Sequence, residues 1–192
     1  MNETPTTTAP AAPVGQLRRI WPSVAGVGFA ALVGIGLTGG VELAPVLAAS
    51  AVVYLGAAAV GKPAAAWPMF FATALVITLV RLLLDERVDA TWFLLGGAAL
   101  LAVYGFLRGG LRPAHGLPLQ SVALVGFGGA AVVATGIDPD LGGYLVAAGL
   151  LGHAAWDFHH HRTERVVARS LAEFCLVLDT VLAVTIVLVT VT

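Results

Sequence analysis

An all-α, polytopic membrane bundle of seven crossings is what this sequence predicts, on three observations. Of its 192 residues 58% are hydrophobic and only 11% charged, with a mean hydropathy of +0.92, whereas soluble domains carry about 25% charged residues. Apolar stretches recur at close to the ~20 residues a helix needs to cross the hydrocarbon. Charged residues and turn formers are concentrated in the gaps between those stretches.

Residues 1–15 (MNETPTTTAPAAPVG) are rich in Thr, Pro and Ala and lack apolar periodicity. They cannot bury enough surface to offset their ordering entropy, so a disordered cytosolic tail is expected over 1–17 and a single transmembrane domain over 18–192. Arg18 and Arg19 lead into the first stretch, 20–37. It is read as a retained span and not a cleaved signal, because it is long and no A-x-A site follows. Six more spans are expected at 41–61, 64–84, 90–107, 119–135, 141–161 and 166–191. Between them lie Thr38-Gly39-Gly40, Gly61-Lys62-Pro63, the charged run 85–89, the Arg- and Pro-bearing 108–118, 136–140 and the basic 162–165. These are breaker and turn residues.

Charge supports that count. With the N-terminus inside, Arg18, Arg19, Lys62, Arg108, Arg112, Arg162, Arg165 and Arg169 are cytosolic and only Arg81 and Arg87 lie outside, as the positive-inside rule requires. Trp21, Trp67, Trp92, Tyr104 and Tyr144 fall near predicted helix ends, where interfacial aromatics belong. Small residues recur within or beside spans, as in Gly36xxxGly40, the Gly126-Gly128-Gly129 group and Ala148xxxGly152; they suit close helix approach. A net charge of −1 and the lack of any basic run interleaved with aromatics exclude nucleic-acid binding. One cysteine, Cys175, precludes an intramolecular disulfide or a CxxC pair.

The informative stretch is 152–179, GHAAWDFHHHRTERVVARSLAEFCLVLD, which gathers four of the five histidines, the cysteine and four acids. At about 100° per residue, His153, Trp156, Asp157 and His160 share a sector of roughly 100° on the sixth helix, while His159 points away. Cys175 and Asp179 are an i,i+4 pair on the seventh. Because the connecting loop is short, the two helices are antiparallel neighbours, and His153 reaches Cys175 and Asp179. A carboxylate near the bilayer centre costs about 2.5–3.5 kcal/mol on insertion scales, so Asp179 is either protonated or paired. Imidazole and carboxylate suit divalent ions such as zinc or iron; the candidate ligands are His153, Asp157, His160 and Asp179. His153 and Asp157 are the candidate catalytic pair, with Trp156, His161 and Cys175 in support. Arg169 and Glu173, one turn apart, are expected to pair. His115, between Pro113 and Pro118, is expected in solvent.

The pattern His153-x-x-Trp156-Asp157-x-x-His160-His161 followed by Cys175-x-x-x-Asp179 resembles a family of small bacterial integral-membrane proteins with no assigned activity. The resemblance covers about the last 45 residues and implies that those seven residues act as one unit. Two look-alikes fail. Membrane desaturases need several histidine boxes, against five histidines here, and a rhodopsin needs a lysine in the last helix, whereas the only lysine is Lys62. Seven-helix metal-dependent lipid amidases offer an analogy at the level of helix number and intramembrane His/Asp.

Three functional expectations result. The site holds a divalent metal and acts on a lipid-soluble substrate by hydrolysis or oxidation, its metal-bound water serving as hydroxide. Alternatively, Asp157, Asp179 and His153 relay protons or hold an ion in a carrier or channel. The third is a non-catalytic module whose polar cluster fixes helix packing. Membrane lipid is the expected partner and the bacterial cytoplasmic membrane the expected location.

Overall fold

A computed structural model describes residues 13–84 and 88–191, with side chains from residue 20 onward. Seven α-helices make up this part of the chain: α1 (Pro13–Gly34), α2 (Ala44–Val60), α3 (Ala66–Leu83), α4 (Ala90–Leu107), α5 (Leu117–Thr135), α6 (Pro139–Thr163) and α7 (Arg169–Val191). Single 3-10 turns, Gly40–Leu43 and Pro63–Ala65, lead into α2 and α3. No strand occurs among the described residues. Five of the segments are long and apolar enough to cross a membrane: those carrying α2, α3, α4, α5 and α7. In α1 the apolar part within the described side chains is the shorter Ile20–Gly34. Helix α6, at 25 residues, is long enough for a span but carries Asp140, Asp157 and four histidines, and it is not among those five.

Helix α1 begins at Pro13, so residues 13–17 are helical where a tail was expected; residues 1–12 lie outside the described residues. The same helix stops at Gly34, short of the expected 37, because Gly36 takes φ +76° and the Thr38 amide and hydroxyl both bond Glu42 Oε1. Helix α7 starts three residues later than expected. Val166 and Val167 are buried in the connection to it, and the Ala168 amide donates to the Pro63 carbonyl at 3.2 Å. Asp85, Glu86 and Arg87, of the charged run 85–89, also lie outside the described residues.

The central helix is α2. Twelve of its seventeen residues are buried, against four of eighteen in α3. Its alanines (44, 48, 49, 51 and 57) and Gly56 leave room on every side, so neighbours approach closely without large knobs. Helices α3, α4, α5 and α6 all pack on it, while α7 packs chiefly on α6 and α1. Large apolar side chains on α1, α3, α4, α5 and α7 face outward, Leu32, Leu82, Leu100 and Val125 among them.

Close approach is real at particular small residues. A Cβ on Gly40 would stand 2.8 Å from Gly143 Cα and would also strike Ile186; one on Gly26 would lie 2.7 Å from the Phe174 carbonyl. Of the glycines expected to pack, Gly40 and Gly128 do, whereas Gly36, Gly126 and Gly129 face open space. At one end of the bundle Trp21 and Trp67 stack with centroids 5.6 Å apart instead of standing separately at the interface, and Phe29, Phe70 and Phe174 continue the aromatic contact inward.

Candidate intramembrane site

Helices α6 and α7 are antiparallel neighbours, joined through residues 164–168. Glu164 takes the left-handed conformation that closes α6, its amide donating to the His160 carbonyl at 2.8 Å. This hairpin brings His153 and Asp157 on α6 against Asp179 on α7, all three at most 1% exposed. His153 Nδ1 lies 2.8 Å from Asp179 Oδ2 and 3.2 Å from Asp157 Oδ2. One ligand-type atom from each residue falls within 4.8 Å of the others.

Helix α2 supplies a third wall that the sequence reading overlooked. Tyr54, 1% exposed, donates its hydroxyl to Asp157 Oδ1 at 2.5 Å. Its ring stands edge-on to His153 and to His160, with centroids 5.2 and 4.9 Å away. A signal for it existed: the chain has three tyrosines, and Tyr54 is the one in the middle of an apolar stretch, where a hydroxyl must find a partner inside the protein.

Two polar atoms of the cluster have no hydrogen-bond partner among the described residues: Asp157 Oδ2 and His153 Nε2. The first faces the same Nδ1 that Asp179 engages; the imidazole is flanked by the rings of Tyr54 and Phe127. A buried acceptor without a donor costs about 1–3 kcal/mol, so Asp157 Oδ2 is free to accept a proton or to ligate a cation. Ligands held at ~2.0–2.2 Å from one divalent ion stand about 2.9–3.5 Å apart. The two Nδ1 to carboxylate distances are therefore compatible with a shared ion, and the shorter one is equally a good hydrogen bond.

His160 stands apart from this group. Its Nδ1 donates to the Trp156 carbonyl at 3.0 Å, and its Nε2 faces the Gln120 amide nitrogen at 3.4 Å, so both ring nitrogens are engaged. Gln120 on α5, 0% exposed, is a second residue missed from sequence; its Oε1 accepts from Trp156 Nε1 at 3.3 Å. Trp156 thus belongs to the His160–Gln120 set. His161 lies at the helix end, accepting from Arg169 Nε at 3.1 Å. The expected Arg169–Glu173 pair does not form. Arg169, at the first residue of α7, reaches back to Glu164 at 3.3 Å, and Glu173 turns toward α1 to accept from the Ser23 hydroxyl at 2.6 Å.

Cys175 is buried one turn from Asp179. Both residues line a cavity of about 340 Å³ whose walls come from α1, α2, α3 and α7. The cavity is apolar apart from Asp179, Cys175, three hydroxyls and Arg81. Ser50, Thr73 and Thr78 spend those hydroxyls on their own helices' carbonyls, and Arg81 donates to the Glu42 carbonyl at 2.9 Å. Leu32, Ile35 and Leu82, all heavily exposed, form its rim, so it opens sideways between α1 and α3. Access to Asp179 is thus from the half of the bundle away from the α6–α7 loop.

Compared with protein-family models, curated proteins and solved structures, the chain matches none. The motif resemblance rests on the residues quoted for it.

Proposed function

We propose that this chain is a seven-span membrane protein with a cytosolic N-terminus that binds one divalent cation through His153, Asp157 and Asp179, and that its side cavity delivers a lipid-soluble molecule to that centre. The observation that carries the reading is the convergence of two buried carboxylates on one imidazole nitrogen, with Asp157 Oδ2 lacking any donor. Charge balance favours an ion. Two ionised carboxylates beside a neutral imidazole leave two uncompensated negative charges in a low-dielectric interior, and a divalent cation cancels both. Tyr54 holds Asp157 by its other oxygen, as partners of metal-bound carboxylates do.

Three protein ligands leave coordination open for water or substrate, and a bound cation would supply Lewis acidity for hydrolysis of that molecule. Exposed apolar side chains at the rim of the cavity support delivery from lipid and not from water. Zinc and iron are the candidates, on donor type, and the bacterial cytoplasmic membrane is the proposed location.

A second reading has its own support. Asp179, His153, Asp157 and Tyr54 form an unbroken run of buried titratable groups, each within 3.2 Å of the next. Such a chain suits proton relay in a carrier.

Elemental analysis of the purified wild-type protein separates the two. One zinc or iron per chain, lost in His153→Ala and Asp157→Ala, is expected; a metal-free protein that cannot be loaded at neutral pH refutes the metal centre and leaves the relay.

A further inference from the structure

At the end of the bundle where the α2–α3, α4–α5 and α6–α7 connections meet lies a second cavity of about 660 Å³. Lys62, Arg108, Arg112, His115 and Arg165 line it, and no Asp or Glu does. We propose that this cavity binds a phosphate group, as a phospholipid headgroup or as a soluble phosphate compound.

Three independent connections each contribute cations to the same space, where Lys62, Arg108, Arg112 and Arg165 stay exposed, and positive charge focused in a cleft attracts anions. Among the described residues, no hydrogen bond or ion pair engages the Lys62, Arg112 or Arg165 side chain. Arg108 donates to the Tyr104 hydroxyl at 2.6 Å, a neutral partner that leaves its charge uncancelled. Gly116 and Leu117, the start of α5, form part of the wall and bring the positive end of that helix to it. The guanidinium groups can bind phosphate oxygens in bidentate fashion. Ala57, Val60 and Val166 supply apolar wall beside the charges, so the space accepts a group that is anionic at one end and greasy at the other. Basic pockets between membrane helices on the cytosolic side hold lipid headgroups on the same principle.

The inference does not depend on the metal centre, which involves none of these residues. The test uses the full chain in detergent in two arms. In one, inorganic phosphate is titrated by calorimetry. In the other, native mass spectrometry scores retention of phosphatidylglycerol against phosphatidylcholine. Saturable phosphate binding identifies the soluble source, and selective retention of phosphatidylglycerol identifies the lipid source. Either should weaken at least tenfold in the Arg112→Gln/Arg165→Gln protein and decline with added salt, while the unchanged melting temperature of that protein shows that it folds. Failure of both arms overturns the proposal, as does equal binding by the folded double variant.

Discussion

Asp179→Asn tests the centre most directly, because the amide keeps the shape of the carboxylate and can still accept from His153 Nδ1 while removing one of two negative charges. In the wild type that charge sits 2.8 Å from Nδ1 at a position 1% exposed. Losing a partner that only orients a metal ligand already costs about 10–100-fold in affinity, so losing a ligand itself should lower the affinity for zinc by more than about a hundredfold. Proton counting gives a second readout. A metal-free cluster that is neutral overall carries two protons beyond the fully ionised carboxylates and neutral imidazole, wherever they reside. Binding of a divalent ion displaces both, so log K should rise by about two per pH unit while both are bound, and by about one in D179N. Competition against a chelating dye, repeated across pH, measures both quantities. Melting adds a third: zinc at about a hundred times its Kd should stabilise the wild type by about 2.7 kcal/mol, whereas D179N should gain nothing at that concentration yet melt like the wild type without metal. A D179N protein that binds zinc within threefold of wild type refutes the centre, and one that melts far below the metal-free wild type favours polar packing instead.

His160→Ala should keep a full complement of metal with affinity within about threefold, since both ring nitrogens are committed elsewhere; loss of metal in inductively coupled plasma analysis would restore it to the ligand set. Tyr54→Phe removes the donor to Asp157 Oδ1, and should lower metal affinity by about 10- to 100-fold at unchanged stoichiometry, with a loss of about 1–3 kcal/mol in stability of the metal-free protein. Gly40→Ala places a methyl against Gly143 and Ile186, an overpacking expected to cost about 1–3 kcal/mol; a melting temperature equal to wild type would mean that these helices do not pack as closely as described.

Hydropathy and turn residues by themselves determined that the chain is a set of apolar helices, because a backbone in hydrocarbon must satisfy its own hydrogen bonds and a helix does so within one segment. Helical periodicity also determined that His153 and Asp157 share a face, and the short connection expected at 162–165 determined that the last two helices are neighbours. What those patterns could not decide is anything that depends on the other helices. Helix α2 and helix α3 are both predominantly apolar, yet the first is the core and the second faces outward; the difference lies in which alanines and glycines find a neighbour, and a hydropathy average does not record it. The separation of His160 from the His153–Asp157–Asp179 group was likewise invisible, because His160 lies on the same helical sector as His153 and only Gln120, arriving from α5, takes its Nε2. Tyr54 entered the site from about a hundred residues away by the same route. A helix sequence specifies a face; only the packed bundle specifies what that face touches, because the contacts belong to pairs of helices and not to either one.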